Sequence, residues 1–277
     1  MKRLFIGLFI LAGAVALIGC KKDNVDKRLE ELEKEENVYA ISLVSGIDQV
    51  ISNSSVNLID SNAETDADQI DNLDLLLGLL NEEVFDVDAK ESDNDNFDNL
   101  LEITINQEKY MFYYNEVLIE REEDEDEIEE EFKIEGLILF GDLEFNVIGK
   151  KDVEIEEDEE EFELELKVSL DSDNYTIIKY EIETESDELE RNYKLETYVD
   201  GNLVRKVKID FEVEDDELEL EVEIEEDNKE SKYELKHFEG KDKAVIKYEI
   251  KENGQTFKGI INVSVIIEDD TVRYIYE

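Results

Sequence analysis

From about residue 100 onward the chain is written in a period of two. Phe162, Leu164, Leu166, Val168 and Leu170 alternate with Glu161, Glu163, Glu165, Lys167 and Ser169. Leu203, Val207, Ile209, Phe211 and Val213 make a second apolar set, and Leu218, Leu220, Val222 and Ile224 a third. Successive side chains of a strand point to opposite faces, so each run describes a strand with one buried and one wet face. Between the runs stand turn signals: Gly149-Lys150-Lys151, Asp171-Ser172-Asp173, Asp200-Gly201, Asp215-Asp216 and Asn253-Gly254. Asp-Gly and Asn-Gly favour the type I′ turn, whose twist fits an antiparallel hairpin. The chain has no proline, which leaves its turns to Gly, Asn and Asp. The pattern predicts about a dozen antiparallel strands in a meander over 100–277.

A repeat lies inside that region. Ile178-Lys179-Tyr180-Glu181-Ile182 returns as Ile246-Lys247-Tyr248-Glu249-Ile250, and Val204-Arg205 returns at the same offset as Val272-Arg273. With one residue of slippage, Val153 to Asp158 recurs as Val222 to Asp227. The units span 153–209 and 222–277. Chance similarity among Glu-rich strands is the alternative, but one register holding across two different strands favours duplication and a single continuous sheet.

Upstream the period changes. Val25 to Glu36 carries only Leu29 and Leu32 as an apolar edge and reads as a charged stalk helix. Ile41, Val44, Ile47 and Ile51 recur every three or four residues, which predicts an amphipathic helix over Val38 to Ile51. Ile70, Leu73, Leu76, Leu77 and Leu80 predict a second, followed by an acidic stretch from Asp86 to Asp98. A long sheet with one apolar face must cover that face. The expected fold is therefore mainly β with an α contribution: a strongly curved or half-barrel antiparallel meander with two N-terminal helices packed on its concave side. The organisation divides into 1–19, 20–36 (tether), 37–99 (helical, with acidic loops) and 100–277 (sheet).

Charge sets the next limit. The formal net charge is −51, carried by 80 acidic against 29 basic residues. With 12 Tyr, 12 Phe and many Ile and Val, the chain is not a disordered acidic tail. No dense basic stripe exists for a phosphate backbone, which argues against nucleic acid as a partner. Repulsion on this scale opposes compaction and is relieved by salt or divalent cations.

The N-terminus has its own form. Lys2 and Arg3 precede an apolar run from Leu4 to Ile18, too short at about 22 Å to cross roughly 30 Å of hydrocarbon. A basic start, a short apolar run and a small residue at the end are the parts of a secretory signal. Leu17-Ile18-Gly19-Cys20 resembles the lipobox of bacterial lipoproteins. The resemblance covers residues 1–20 alone. It implies recognition of Leu17, Ile18 and Gly19 by a signal peptidase, cleavage before Cys20, and diacylglyceryl transfer to the Cys20 sulfur. The partner would then be a membrane, held through the lipidated cysteine on its extracytoplasmic face. An uncleaved anchor with an incidental cysteine is the alternative. Cys20 is the only cysteine, so it has no internal disulfide partner, and an exported chain rarely keeps a bare thiol. Two acyl chains also meet the requirement of two membrane signals for stable anchoring.

Catalytic constellations are missing from the sequence. His237 is the only histidine, which removes Ser/His/Asp and multi-histidine metal sites; it reads as outward-facing in a strand. No Gly-rich phosphate loop appears. Asp93-Asn94-Asp95-Asn96-Phe97-Asp98 begins like an EF-hand loop, but Phe97 takes a ligand position and the glycine is missing. A meander sends alternate turns to one end of the sheet. That brings the acidic turns at Asp158, at Asp215 and Asp216, and at Asp269 and Asp270 to the same end as candidates for Ca²⁺ or Mg²⁺; no other cofactor is expected. Solvated acidic turns are the plainer explanation. The reading is a non-enzymatic, lipid-anchored binding or structural protein with no identifiable protein partner. The alternative is a carrier that holds a lipid or other apolar ligand in the concave face.

Overall fold

The computed structural model describes residues 35–53, 86–105, 107–124, 127–156, 159–185, 188–214, 217–226, 228–238, 241, 243–268 and 271–276, with side-chain surroundings as far as 262. One helix, α1 (Glu35–Asn53), precedes fourteen strands: β1 (Asp86–Glu91), β2 (Asn99–Ile105), β3 (Glu108–Glu123), β4 (Glu127–Phe140), β5 (Leu143–Glu156), β6 (Glu159–Ser169), β7 (Tyr175–Glu185), β8 (Glu188–Val199), β9 (Asn202–Glu214), β10 (Glu217–Glu226), β11 (Lys229–Phe238), β12 (Lys243–Glu252), β13 (Gln255–Glu268) and β14 (Thr271–Tyr276). Each strand pairs with the next in chain order, always antiparallel, and β1 does not meet β14, so the sheet is open.

The alternation sets the register. Leu164, Leu166 and Val168 of β6, Ile178, Tyr180 and Ile182 of β7 and Leu218, Leu220 and Val222 of β10 are all buried on one face, here called inner. Two hairpin turns behave as the sequence requires. Asp200 and Gly201 have φ of 51° and 74°, Asn253 and Gly254 of 50° and 77°, positive at both central positions as type I′ demands.

The sheet curls around α1. Tyr39 and Asp48, well separated along the helix, both reach β3: the Tyr39 ring lies 5.6 Å from that of Tyr114, and Tyr110 donates to Asp48 at 3.3 Å. The helix therefore does not run straight across the strands. It nonetheless packs against β1 as well as β6, β7 and β8. In a flat sheet β1 and β8 would lie about 34 Å apart, against a helix diameter of about 10–12 Å. Wrapping also explains why α1 is buried nearly all round, Ser42, Ser45 and Gln49 included, instead of exposing a polar face. Small residues allow that close approach. A Cβ on Gly46 would fall 2.7 Å from Ile178 Cδ1, and the Gly46 carbonyl accepts from Thr176 of β7 at 3.3 Å.

Several expectations are corrected. The acidic stretch from Asp86 contains β1, an edge strand whose pairing with β2 needs no apolar alternation of its own. Gly149-Lys150-Lys151 is not a turn but the middle of β5. A Cβ at Gly149 would run into the Glu165 carbonyl oxygen, so that glycine serves close strand approach. His237 is buried on the inner face, opposite Leu218, with the same parity as Tyr233 and Leu235; its Nε2 donates to the Lys241 carbonyl at 3.0 Å. One helix, not two, packs on the sheet among the described residues; the segment expected as the second, Ile70 to Leu80, lies outside them, as does most of the Val25 to Glu36 stalk.

Candidate functional site

The outer face carries the charge, and the hairpin register sorts it into rows. Glu122, Glu129, Glu154, Glu161, Glu183, Glu190, Glu212 and Glu219 stand directly opposite one another across β3 to β10. Neighbouring strands lie about 4.8 Å apart, so this is a carboxylate row at that spacing. Next to it run Glu131, Asp152, Glu163, Glu181, Asn192, Asp210, Glu221 and Glu234. The third row changes sign, with Lys133, Lys150, Glu165, Lys179, Lys194 and Lys208 across β4 to β9.

The lysines neutralise the second row and not the first. Lys150 pairs with Asp152 at 3.1 Å, Lys208 with Asp210 at 2.7 Å, and Lys232 with Glu221. At the margins of the first row Lys236 pairs with Glu219. Among the described residues no cation pairs with Glu129, Glu154, Glu161, Glu183, Glu190 or Glu212.

Electrostatics follows the geometry. Partial burial in the crowd of side chains raises the Glu161 carboxyl above its ordinary value, helped by the charges of Glu163, Glu181, Glu154 and Glu183. Desolvation followed by neighbouring glutamates also raises Glu154, Glu181 and Glu190. Three groups bring carboxylate oxygens within 4.8 Å of one another: Glu127, Glu154 and Glu156; Glu161, Glu163 and Glu181; Glu188, Glu190 and Glu212. Hard divalent cations take oxygen ligands of this kind, and Ca²⁺ accepts flexible geometry.

Asp158, Asp215, Asp216, Asp269 and Asp270 lie outside the described residues, as do Leu17, Ile18, Gly19 and Cys20. The strand ends that flank those turns, β5–β6, β7–β8, β9–β10 and β13–β14, do share one end of the sheet, and the acidic row runs just inside it. Attention to the turns missed the strands that lead to them. The signal was present: in a two-residue hairpin, residues equidistant from the turn pair, so Glu154 meets Glu161 around 157–158 and Glu183 meets Glu190 around 186–187.

The inner face has its own polar groups. Lys151 of β5 is buried against Glu116 of β3 at 2.5 Å and over the Phe132 ring at 4.2 Å. Arg205 lies 3.0 Å from Glu226, near enough for an ion pair though not aligned as a hydrogen bond. Arg191 of β8 is buried among Leu189, Tyr193, Ile182 and Phe211. No helix among the described residues is long and apolar enough to cross a membrane. Comparison with known protein families, curated proteins and solved structures returned no match.

Proposed function

We propose that this chain is a lipid-anchored, non-enzymatic binding protein on the extracytoplasmic face of a bacterial membrane, presenting the outer face of its sheet to cationic partners. The observation that carries the binding half is the row of six glutamates with which no cation pairs among the described residues. Like charges set directly opposite each other destabilise a sheet, and two unit charges about 5 Å apart repel by roughly 1 kcal/mol even at the dielectric of water. That spacing is inside the Debye length of about 8 Å at physiological salt, so the repulsion is not screened away. A feature that opposes folding across so many strands is accounted for by what it binds: divalent ions in the carboxylate groups, or a basic polymer laid along the row. The anchoring half rests on the lipobox resemblance at Leu17 to Cys20 and on the lone cysteine.

Two measurements test the reading. Cells expressing the chain should incorporate labelled palmitate into it and retain it in the membrane fraction, both lost in Cys20→Ser. Binding of polylysine to the purified protein should weaken steeply between 50 and 500 mM salt, in the order-of-magnitude manner of counterion-controlled association. Palmitate labelling that survives Cys20→Ser, or polylysine binding indifferent to salt, overturns the respective half.

A further inference from the structure

Among the described residues, the inner face holds one charge that no other group answers. Arg191 is 6 % exposed, and its Nε and Nη2 are buried without a hydrogen-bond partner. Its cross-strand row is otherwise hydrocarbon: Phe162, Ile182, then Arg191, then Phe211, Leu220, Leu235 and Ile246. Among the described residues, the neighbour that responds to its charge is the Phe211 ring, 5.8 Å from the guanidinium carbon, near the outer limit for a cation–π contact. Among the described residues no carboxylate pairs with Arg191, in a chain with 80 of them. The contrast with Arg205 and Lys151 is direct, since both buried cations have a glutamate at hand.

A buried charge is ordinarily paired or absent. The guanidinium is also the side chain whose planar fork matches an oxyanion in bidentate fashion. We propose that Arg191 receives the oxyanion head of an amphiphile whose hydrocarbon lies along the apolar row on either side. Hydrocarbon neighbours on both flanks select an amphiphile over a free anion, which needs polar surroundings that this row does not offer. A hollow of about 160 Å³ between α1 and β5 to β7 has an apolar wall of Val38, Val153, Ile155, Phe162 and Ile182, with Thr184, Glu154, Glu160 and Glu161 completing its lining; it adjoins the Arg191 row at Phe162 and Ile182, and its apolar wall offers room for part of the tail. This inference is independent of the outer-face reading, because it concerns the opposite side of the sheet.

The test uses the full chain and a fluorescent fatty-acid probe, dansyl-undecanoic acid, displaced in turn by palmitate, lysophosphatidic acid, monopalmitoylglycerol and inorganic phosphate. Palmitate or lysophosphatidic acid should displace the probe at least ten-fold more effectively than the neutral glyceride, and whichever of the two is stronger identifies the head as carboxylate or phosphate. Arg191→Leu should weaken probe binding at least ten-fold and, without ligand, melt at or above the parent; Arg191→Lys should restore part of the binding. If Arg191→Leu does not fold, the charged-versus-neutral preference of the parent and the Arg191→Lys affinity decide. Equal competition by the neutral glyceride overturns the proposal. So does displacement by phosphate alone, or unchanged binding in Arg191→Leu.

Discussion

The Lys151 ammonium on β5 sits 2.5 Å from a Glu116 carboxylate oxygen on β3, reaching past β4 on the inner face of the sheet. The second Glu116 oxygen accepts from the Tyr39 hydroxyl of α1 at 2.8 Å, so one carboxylate ties the helix to two strands. Removing one partner of a buried pair costs more than the pair contributes, because a desolvated charge is left behind. Glu116→Leu should destabilise the protein by about 3 kcal/mol in urea unfolding. Adding Lys151→Met should recover much of that loss, since the Lys151 ammonium is then no longer left without its Glu116 carboxylate. A double variant as weak as the sum of the singles would show that the two residues act independently.

Glu183 stands between Glu161 and Glu190 with no compensating cation among the described residues. Glu183→Lys should therefore stabilise the fold by up to ~1 kcal/mol, replacing two cross-strand repulsions with attractions. The same change should weaken polylysine binding and reduce the rise in melting temperature that millimolar calcium or magnesium gives the parent. Opposite signs on stability and binding are the signature of a row kept for a partner. A loss of stability in Glu183→Lys, or a melting temperature in the parent that ignores added divalent ions, would remove the cation reading.

Much of this sheet is readable from residues alone, because two-residue hairpins impose a register. Leu164 and Leu166 must share a face, and Glu154 must meet Glu161. What the alternation does not carry is the pairing between hairpins. Glu161 meets Glu183 across the longer Leu170 to Asn174 connection, and Glu190 meets Glu212 across a strand pair with a bulge at Thr197 and Tyr198. The continuity of the acidic row thus depends on loop lengths and one irregularity. His237 shows the opposite failure: its parity with Tyr233 and Leu235 was legible, but a polar residue type suggested solvent. Arg191 has the parity of Leu189 and Tyr193 in the same way, and its isolation emerges only when Ile182 and Phe211 are seen on either side. The β1 edge had no readable signal, since Asp86 to Glu91 is placed by its pairing with β2 and not by its own side chains.

The raised carboxyls give a pH dependence with a definite sign. A group whose folded pKa lies above its unfolded value penalises folding fully above the folded pKa, and the penalty is lifted as pH falls through it. Glu154, Glu161, Glu181 and Glu190 are raised by desolvation and by neighbouring glutamates, and burial lifts Asp48 of α1 from 3.8 to about 6. Stability should rise as pH is lowered from 7 toward about 5. Further acidification should reverse the trend, because Asp171, held down by Asn174 and the backbone, and Glu196, held down by Lys194, lose favourable contacts when protonated. Thermal melting across pH 4 to 8 checks this. A melting temperature that falls steadily from pH 7 downward contradicts it.

Gly149 separates the two roles a glycine can have in this sheet. Gly201 and Gly254 hold positive φ in turns and have open space around them, so substitution there costs backbone strain alone. At Gly149 a Cβ would run into the Glu165 carbonyl oxygen and lie 2.6 Å from Leu166 Cδ2. A side-chain terminus can rotate aside, but a carbonyl held in the β5–β6 ladder moves only with its strand. Gly149→Ala should therefore cost about 1–3 kcal/mol, as overpacking does, and the loss should exceed that of Gly201→Ala. Because Glu165 is followed by Leu166 under α1 and flanked by Glu163 in the acidic face, the displaced strand should also loosen the outer rows. Hydrogen exchange should show faster exchange in β5 and β6 of Gly149→Ala and no such change in Gly201→Ala. Equal stability of the two variants would mean that β5 and β6 leave room for a Cβ at Gly149.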